Sequence, residues 1–172
     1  MLLSEAPTTP RDGFVKLDVS RAVAGGPASM RMALAELGWL GRAVESPPDR
    51  PDLRRVETDL AFTLQSDGRA LTFRKAALVD LGSASVTADG CTVEIGWRAA
   101  SFAPLFPVFA GRLVADGRGL HLHGVYAPPG GGIGLLIDQA FLHYFARRTA
   151  DFFLDRLASA VLAASSPPRT VR

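Results

Sequence analysis

Few residues in this chain have the chemistry to act on a molecule, and most of them fall late in the sequence. His121 and His123 stand two apart, the spacing that puts both imidazoles on one face of a strand. With His143 or Glu94 they would offer three donors, the number a catalytic zinc site needs. With no fixed third donor the pair is read as part of a solvated outer sheet face, and no metal and no cofactor is assigned. Cys91 is the single cysteine. It can form neither an internal disulfide nor a multi-cysteine zinc site, which fits a reducing compartment, and no neighbouring pattern marks it as activated. Tyr126 closes an alternating segment, and its hydroxyl needs a partner if it is buried. Asp138 sits among apolar residues near the start of a helical run. The helix dipole favours a carboxylate there and burial would raise its pKa; a bond to the preceding glycine-rich turn is the simpler role, general-base work the alternative. Arg74, Arg98 and Arg112 would either anchor a ligand carboxylate or simply face outward.

The stretch Gly130–Gly134 invites a phosphate-loop reading. It lacks the Lys-Ser/Thr of a P-loop and the G-x-G-x-x-G spacing of a dinucleotide site. No Gly-x-Ser-x-Gly occurs either. The catalytic set is therefore left unassigned.

Composition narrows the function classes. The chain has 172 residues, 48% hydrophobic and 21% charged, with 19 basic against 17 acidic residues and a net charge of +2. This suits one domain with a sizeable core. Arg54-Arg55 and Arg147-Arg148 are the densest basic spots, and each has acidic neighbours. That is not the basic stripe a nucleic-acid backbone needs. The start has no basic and apolar leader pattern, and no run of about 18 uninterrupted apolar residues argues for stable membrane insertion. The chain is read as cytoplasmic.

The elements that must position these residues follow from periodicity. Residues 1–11 and 165–172 are rich in Pro, Ser and Thr and read as tails around a single domain, 12–164. Gly13–Val23 alternates as a strand with Val15, Leu17, Val19 and Val23 on one side. Pro27–Gly41 reads as a helix with Met30, Leu34 and Leu37 on one face, and the prolines of Val44–Asp52 make that span a loop. Leu53–Leu64, Ala70–Leu81 (with a bulge expected near Lys75), Ala84–Ala88, a strand opening at Cys91, and the hairpin around Asp116–Gly119 bring the strand count to seven. A helix from Ile133 to about Ala164 closes the chain. Leu142, Ala146, Thr149, Phe153, Leu157 and Val161 form its apolar stripe, and Arg147 can pair with Asp151 on the other face. Its N-terminal half is apolar nearly all round, so it should be covered on most sides. A meander cannot bury its inner face unaided; the closing helix supplies the missing layer, and Pro128–Gly132 redirects the chain to reach it.

The final strand and helix carry a family resemblance. Leu120, Leu122, Gly124, Tyr126, Pro128, Pro129, Gly131, Gly134, Asp138, Phe153, Leu154 and Leu157 fall where START-like (SRPBCC) proteins have a recurrent ending. That superfamily includes polyketide cyclases and coenzyme Q-binding proteins. The segment Gly38–Arg55 departs from the tryptophan-rich stretch usual after the first helix. The resemblance implies an α+β helix-grip fold, a curved antiparallel sheet of about seven strands wrapped around the C-terminal helix. It also implies an apolar cavity between the two for a lipid or other hydrophobic small molecule.

Strand parity names the inward residues. Val93, Ile95 and Trp97 share one side, and Phe62, Phe109, Leu113, Leu122 and Tyr126 match them on neighbouring strands. Ile137, Phe141 and Phe145 of the helix would cover them. Periodicity alone leaves a solid core and a ligand-lined cavity equally open; the resemblance favours the cavity. The expected function is binding of a hydrophobic small molecule or lipid. The alternatives are a polyketide cyclase-like enzyme, with Tyr126, Asp138 or an inward arginine moving protons, and an interaction module using the apolar Ser101–Phe109 loop.

Overall fold

The computed structural model describes residues 14–66, 69–101, 108–127 and 139–165; within them, the side chains at 61–66, 69, 71, 73 and 139–142 lie outside the description. Strand β1 (Val15–Arg21) is followed by helix α1 (Pro27–Ala35) and a 3-10 turn (Leu37–Trp39). Then come β2 (Arg42–Val44), β3 (Arg54–Ser66), β4 (Arg69–Leu81), β5 (Ser85–Val86), β6 (Gly90–Ala99), β7 (Val108–Asp116) and β8 (Gly119–Ala127). Helix α2 (Gln139–Ser165) closes the chain. The eight strands form one sheet in the order β1-β8-β7-β6-β4-β3-β2, with β5 beside β6. Every pairing is antiparallel. The first and last strands in sequence pair with each other, which leaves β1 and β2 at the two edges of the sheet. The curved sheet and its C-terminal helix make the helix-grip α+β arrangement.

Alternation builds the sheet as the spacing requires. Leu17 and Val19 of β1, Val93, Ile95 and Trp97 of β6, and Leu120, Leu122 and Tyr126 of β8 are buried on one face. That face is covered by α2, whose Ala146, Thr149, Phe153, Leu157 and Val161 are all buried, the stripe expected at spacings of three and four. Helix α1 begins on Pro27 at its first turn, where a missing N–H costs nothing. It buries Met30, Ala33 and Leu34 in the same core. The 3-10 turn is tied down through Trp39. Its indole donates to the Ala33 carbonyl at 2.6 Å, its own carbonyl accepts from Arg156 of α2, and its ring lies 5.9 Å from that of Phe153.

One cross-strand row spans the sheet. Val15, Tyr126, Phe109, Trp97, Val79, Val56 and Ala43 are successive register partners. At its centre the rings of Phe109 and Trp97 stack with centroids 3.9 Å apart and planes 16° from parallel. Phe109 can lie down against the sheet because Gly111 and Gly124, partners in the next row, leave its place open. A Cβ on Gly124 would stand 2.6 Å from Phe109 Cζ, and one on Gly111 2.7 Å from the same atom.

Several expectations change. The sheet has eight strands rather than seven, because Arg42–Val44 pairs with Glu57–Arg55. Val44 thus belongs to a strand, and the helix expected up to Gly41 stops at Ala35. β3 and β4 pair one-to-one from Arg54–Leu81 to Ser66–Arg69, so no bulge forms at Lys75; its ammonium simply reaches Ser101 Oγ at 3.0 Å. Asp151 does not pair with Arg147. Arg21 of β1 binds Asp151 at 3.7 Å and Asp155 at 2.8 Å, which ties the edge strand to α2. Of the expected tail 165–172, Ser165 still belongs to α2; residues 1–11 and 166–172, the Pro128–Gly132 turn and the helix start at Ile133 lie outside the described residues.

Gly124→Ala should lower unfolding stability in urea by about 1–3 kcal/mol, because its methyl group meets both the Phe109 ring and the Ala110 carbonyl. Gly38→Ala meets nothing within 4 Å and should change stability by no more than about 0.5 kcal/mol.

Candidate functional site

The space between sheet and α2 is where the inward residues converge. Val93, Ile95, Trp97, Phe109, Leu113, Leu122 and Tyr126 are all at most 3% exposed and belong to one cluster. Phe145 of α2 is partly buried against it. Ile137 and the side chains of Phe62 and Phe141 lie outside the described residues. The parity reasoning thus placed every inward residue that the structure describes on one face.

That interior also holds polar atoms. Trp97 is 3% exposed and Thr149 2%, yet among the described residues neither the indole Nε1 nor the threonine Oγ1 has a hydrogen-bond partner. Thr149 stands one helical turn before Phe153, whose ring centroid is 6.4 Å from that of Trp97. The Tyr126 hydroxyl, two register steps along the same row, lies 3.5 Å from His143 Nδ1, too long for a strong hydrogen bond. Burial pushes the Tyr126 phenol above its ordinary pKa, so it stays a neutral donor. Leaving a buried polar group unpaired costs about 1–3 kcal/mol. By contrast, Thr58, the other buried polar residue among those described, donates to the Leu40 carbonyl at 2.5 Å.

Sequence reasoning missed Trp97 and Thr149 as polar groups of this interior; His143, which the Tyr126 hydroxyl approaches, is itself exposed. Trp97 was read only as an apolar wall and Thr149 only as part of a stripe. A threonine on an otherwise apolar helical stripe was the one available signal.

The outer sheet face is different in kind. His121 and His123 sit there with parallel rings 6.2 Å apart. His121 Nδ1 lies 3.0 Å from Ser20 Oγ and its Nε2 3.3 Å from Asp116, and His123 Nδ1 lies 2.7 Å from Asp18. His143 is on the opposite side, against Tyr126. Among the described residues no three His, Cys, Asp or Glu gather as a metal would require. An open groove of about 540 Å3 crosses this face over Gly96, Ala110 and Gly111. Its charges are largely paired. Arg55 grips Asp80 with two bonds of 2.6 and 2.8 Å, and Arg50 binds Asp52 with two of 3.0 Å. Arg74, Arg98 and Arg112 are exposed, so none of them serves the interior. Cys91 is buried and free, with its thiol pKa raised by burial. Asp138 and residues 102–107 of the apolar loop lie outside the described residues. No described helix is long and apolar enough to cross a membrane.

Among solved structures the chain is similar to the di-domain ARO/CYC StfQ from the steffimycin biosynthetic pathway. The TM-score is 0.39 and the identity 14%, over 90% of this chain and 50% of that one. The chain therefore spans about half the length of that protein. No family model matches the sequence, and no curated protein matches it.

Thr149→Val keeps the shape and removes the unpaired hydroxyl. It should raise stability in urea by about 1 kcal/mol. A second expectation concerns alkaline pH. Tyr126 and Cys91 both have pKa values raised in the folded state. The unfolded chain therefore loses these protons first, at about pH 8.5 for the thiol and 10 for the phenol. Their contribution is whole below those values and is lost as pH climbs through the folded ones. Urea midpoints should fall above about pH 8.5, and Tyr126→Phe should remove the part of the fall that begins near pH 10.

Proposed function

We propose that this protein binds a hydrophobic small molecule or lipid between the sheet and α2, in the manner the START-like resemblance implies. The observation that carries the reading is that Trp97 Nε1 and Thr149 Oγ1, two of the three buried polar atoms without a partner among the described residues (the third is Arg21 Nε), stand among mostly apolar side chains. A core selected only for stability would have an apolar residue at each place. A ligand pocket needs this composition: mostly apolar walls with a few polar groups that orient the guest. Binding would be driven by apolar burial at about 25 cal/mol per Å2, with the polar contacts fixing the pose. The inward residues Val93, Ile95, Phe109, Leu113, Leu122, Tyr126 and Phe145 would supply the walls, joined by Phe62, Ile137 and Phe141.

A second reading, a cyclase-like enzyme, draws on one further observation. Tyr126 and His143 bring a neutral phenol and an imidazole within 3.5 Å, a pair able to pass a proton to a bound molecule. It requires turnover that Tyr126→Phe abolishes while binding survives.

Native mass spectrometry of the purified protein, followed by organic extraction, tests the binding reading. A stoichiometric apolar ligand is the expected result. A clean apo mass, unchanged by a panel of fatty acids, sterols and aromatic ketones, would overturn it.

A further inference from the structure

We infer that Ser20, His121 and Asp116, on the outer face of the sheet, form a second chemical site: a nucleophile, its base and an orienting carboxylate that open activated esters. The site lies across the sheet from the interior and does not rest on ligand binding there.

The sheet gathers the three from distant parts of the chain. Ser20 of β1 and His121 of β8 are register partners. Asp116 ends β7, at the hairpin that leads into β8. Ser20 Oγ lies 3.0 Å from His121 Nδ1, and His121 Nε2 lies 3.3 Å from Asp116 Oδ1. A hydroxyl, an imidazole within reach of it and a third group that holds the imidazole are the parts of an activated serine, whatever their order in sequence.

Asp116 sets the direction of the proton. Its Oδ1 also accepts the Arg118 backbone N–H at 2.7 Å. That backbone bond, more than the imidazole, holds its carboxyl below the ordinary carboxylate range. An ionised carboxylate can only accept, so the neutral imidazole carries its proton on Nε2. The Nδ1 lone pair is then left facing Ser20, and the hydroxyl donates to it. This is the tautomer a general base needs. The adjacent imidazole is arranged differently: His123 Nδ1 lies 2.7 Å from Asp18, a carboxylate where His121 Nδ1 meets a hydroxyl.

In the reaction the Ser20 oxygen attacks the acyl carbon of an aryl ester while its proton passes to His121 Nδ1. The bond from the acyl carbon to the aryl oxygen breaks, the phenolate takes up that proton, and an acyl-serine remains. Water, giving a proton to the same nitrogen, then releases the acid and restores the hydroxyl. Ser20 is exposed, and the side chains of His121 and Asp116 are 22% and 38% exposed. On so open a surface solvent water stabilises the oxyanion. The site therefore suits esters with good leaving groups rather than amides, which need preorganised oxyanion donors. Ser20 and His121 are the catalytic pair, and Asp116 is a positioning residue.

The test treats the purified full chain with a fluorophosphonate, a probe that phosphonylates activated serines, and locates the adduct by peptide mass spectrometry. The adduct should form at Ser20. His121→Gln should slow it by about a hundredfold or more, the contribution of a general base. Asp116→Asn should slow it by about tenfold or more through loss of the productive tautomer. Long-range 15N–1H spectra should place the His121 proton on Nε2 in the parent chain and move it in Asp116→Asn, a change that mere loss of stability would not produce. His123→Gln should leave the rate unchanged. With 4-nitrophenyl acetate, the parent chain should release nitrophenol and carry an acetyl group on Ser20, and Ser20→Ala should do neither. Absence of an adduct at Ser20, equal labelling of other exposed serines, or a Ser20 rate that survives His121→Gln would overturn the inference. Each of these outcomes leaves the binding reading of the interior untouched.

Discussion

The flat seat of Phe109 is the constraint on which the interior depends. Its ring needs two bare backbone positions beneath it, and Gly111 and Gly124 supply them as register partners on adjacent strands. Once seated, the ring fixes Trp97 through a stack at 3.9 Å. Trp97 in turn meets Phe153, and Phe153 meets Trp39, so one contact chain runs from the sheet through α2 to the turn after α1. Van der Waals contact of this kind is individually weak and collectively decisive. Here it also orients a polar atom, because the indole cannot rotate within the stack.

The two faces of the sheet divide the chemistry between them. Outward positions carry charges that find partners at once: Arg55 with Asp80, Arg50 with Asp52, His123 with Asp18. Inward positions carry apolar walls with neutral donors set among them. Period-two alternation makes this division possible, since neighbours in sequence never share a face. The few charges on the covering helix that face the sheet are spent at its edge, where Asp151 and Asp155 hold Arg21 of β1.

Much of this was legible in the sequence, for a physical reason. Alternation over seven or more residues fixes which side chains turn inward, and the structure keeps Val93, Ile95, Trp97, Phe109, Leu113, Leu122 and Tyr126 together. The closing helix was readable from spacings of three and four. What local pattern could not show depended on partners distant in sequence. Strand β2 has only three residues and exists because β3 offers it an edge. Asp151 preferred Arg21, on a strand 130 positions earlier, over the neighbour one turn away. The seat under Phe109 joins glycines 13 residues apart, visible only once β7 and β8 are in register. The orphaned indole and hydroxyl were hidden for the same reason: a residue type gives its hydrogen-bonding capacity, and only the fold reveals whether it is met.

Two-dimensional 15N–1H spectra of the indole region bear most directly on that unmet capacity. The chain has two tryptophans, and Trp39 already donates to the Ala33 carbonyl, so it serves as an internal reference. On titration with the panel of fatty acids, sterols and aromatic ketones, the Trp97 indole proton should shift with at least one member while the Trp39 signal stays in place. If the Trp97 signal responds to none of them, or both signals shift alike, the buried N–H does not line a ligand site.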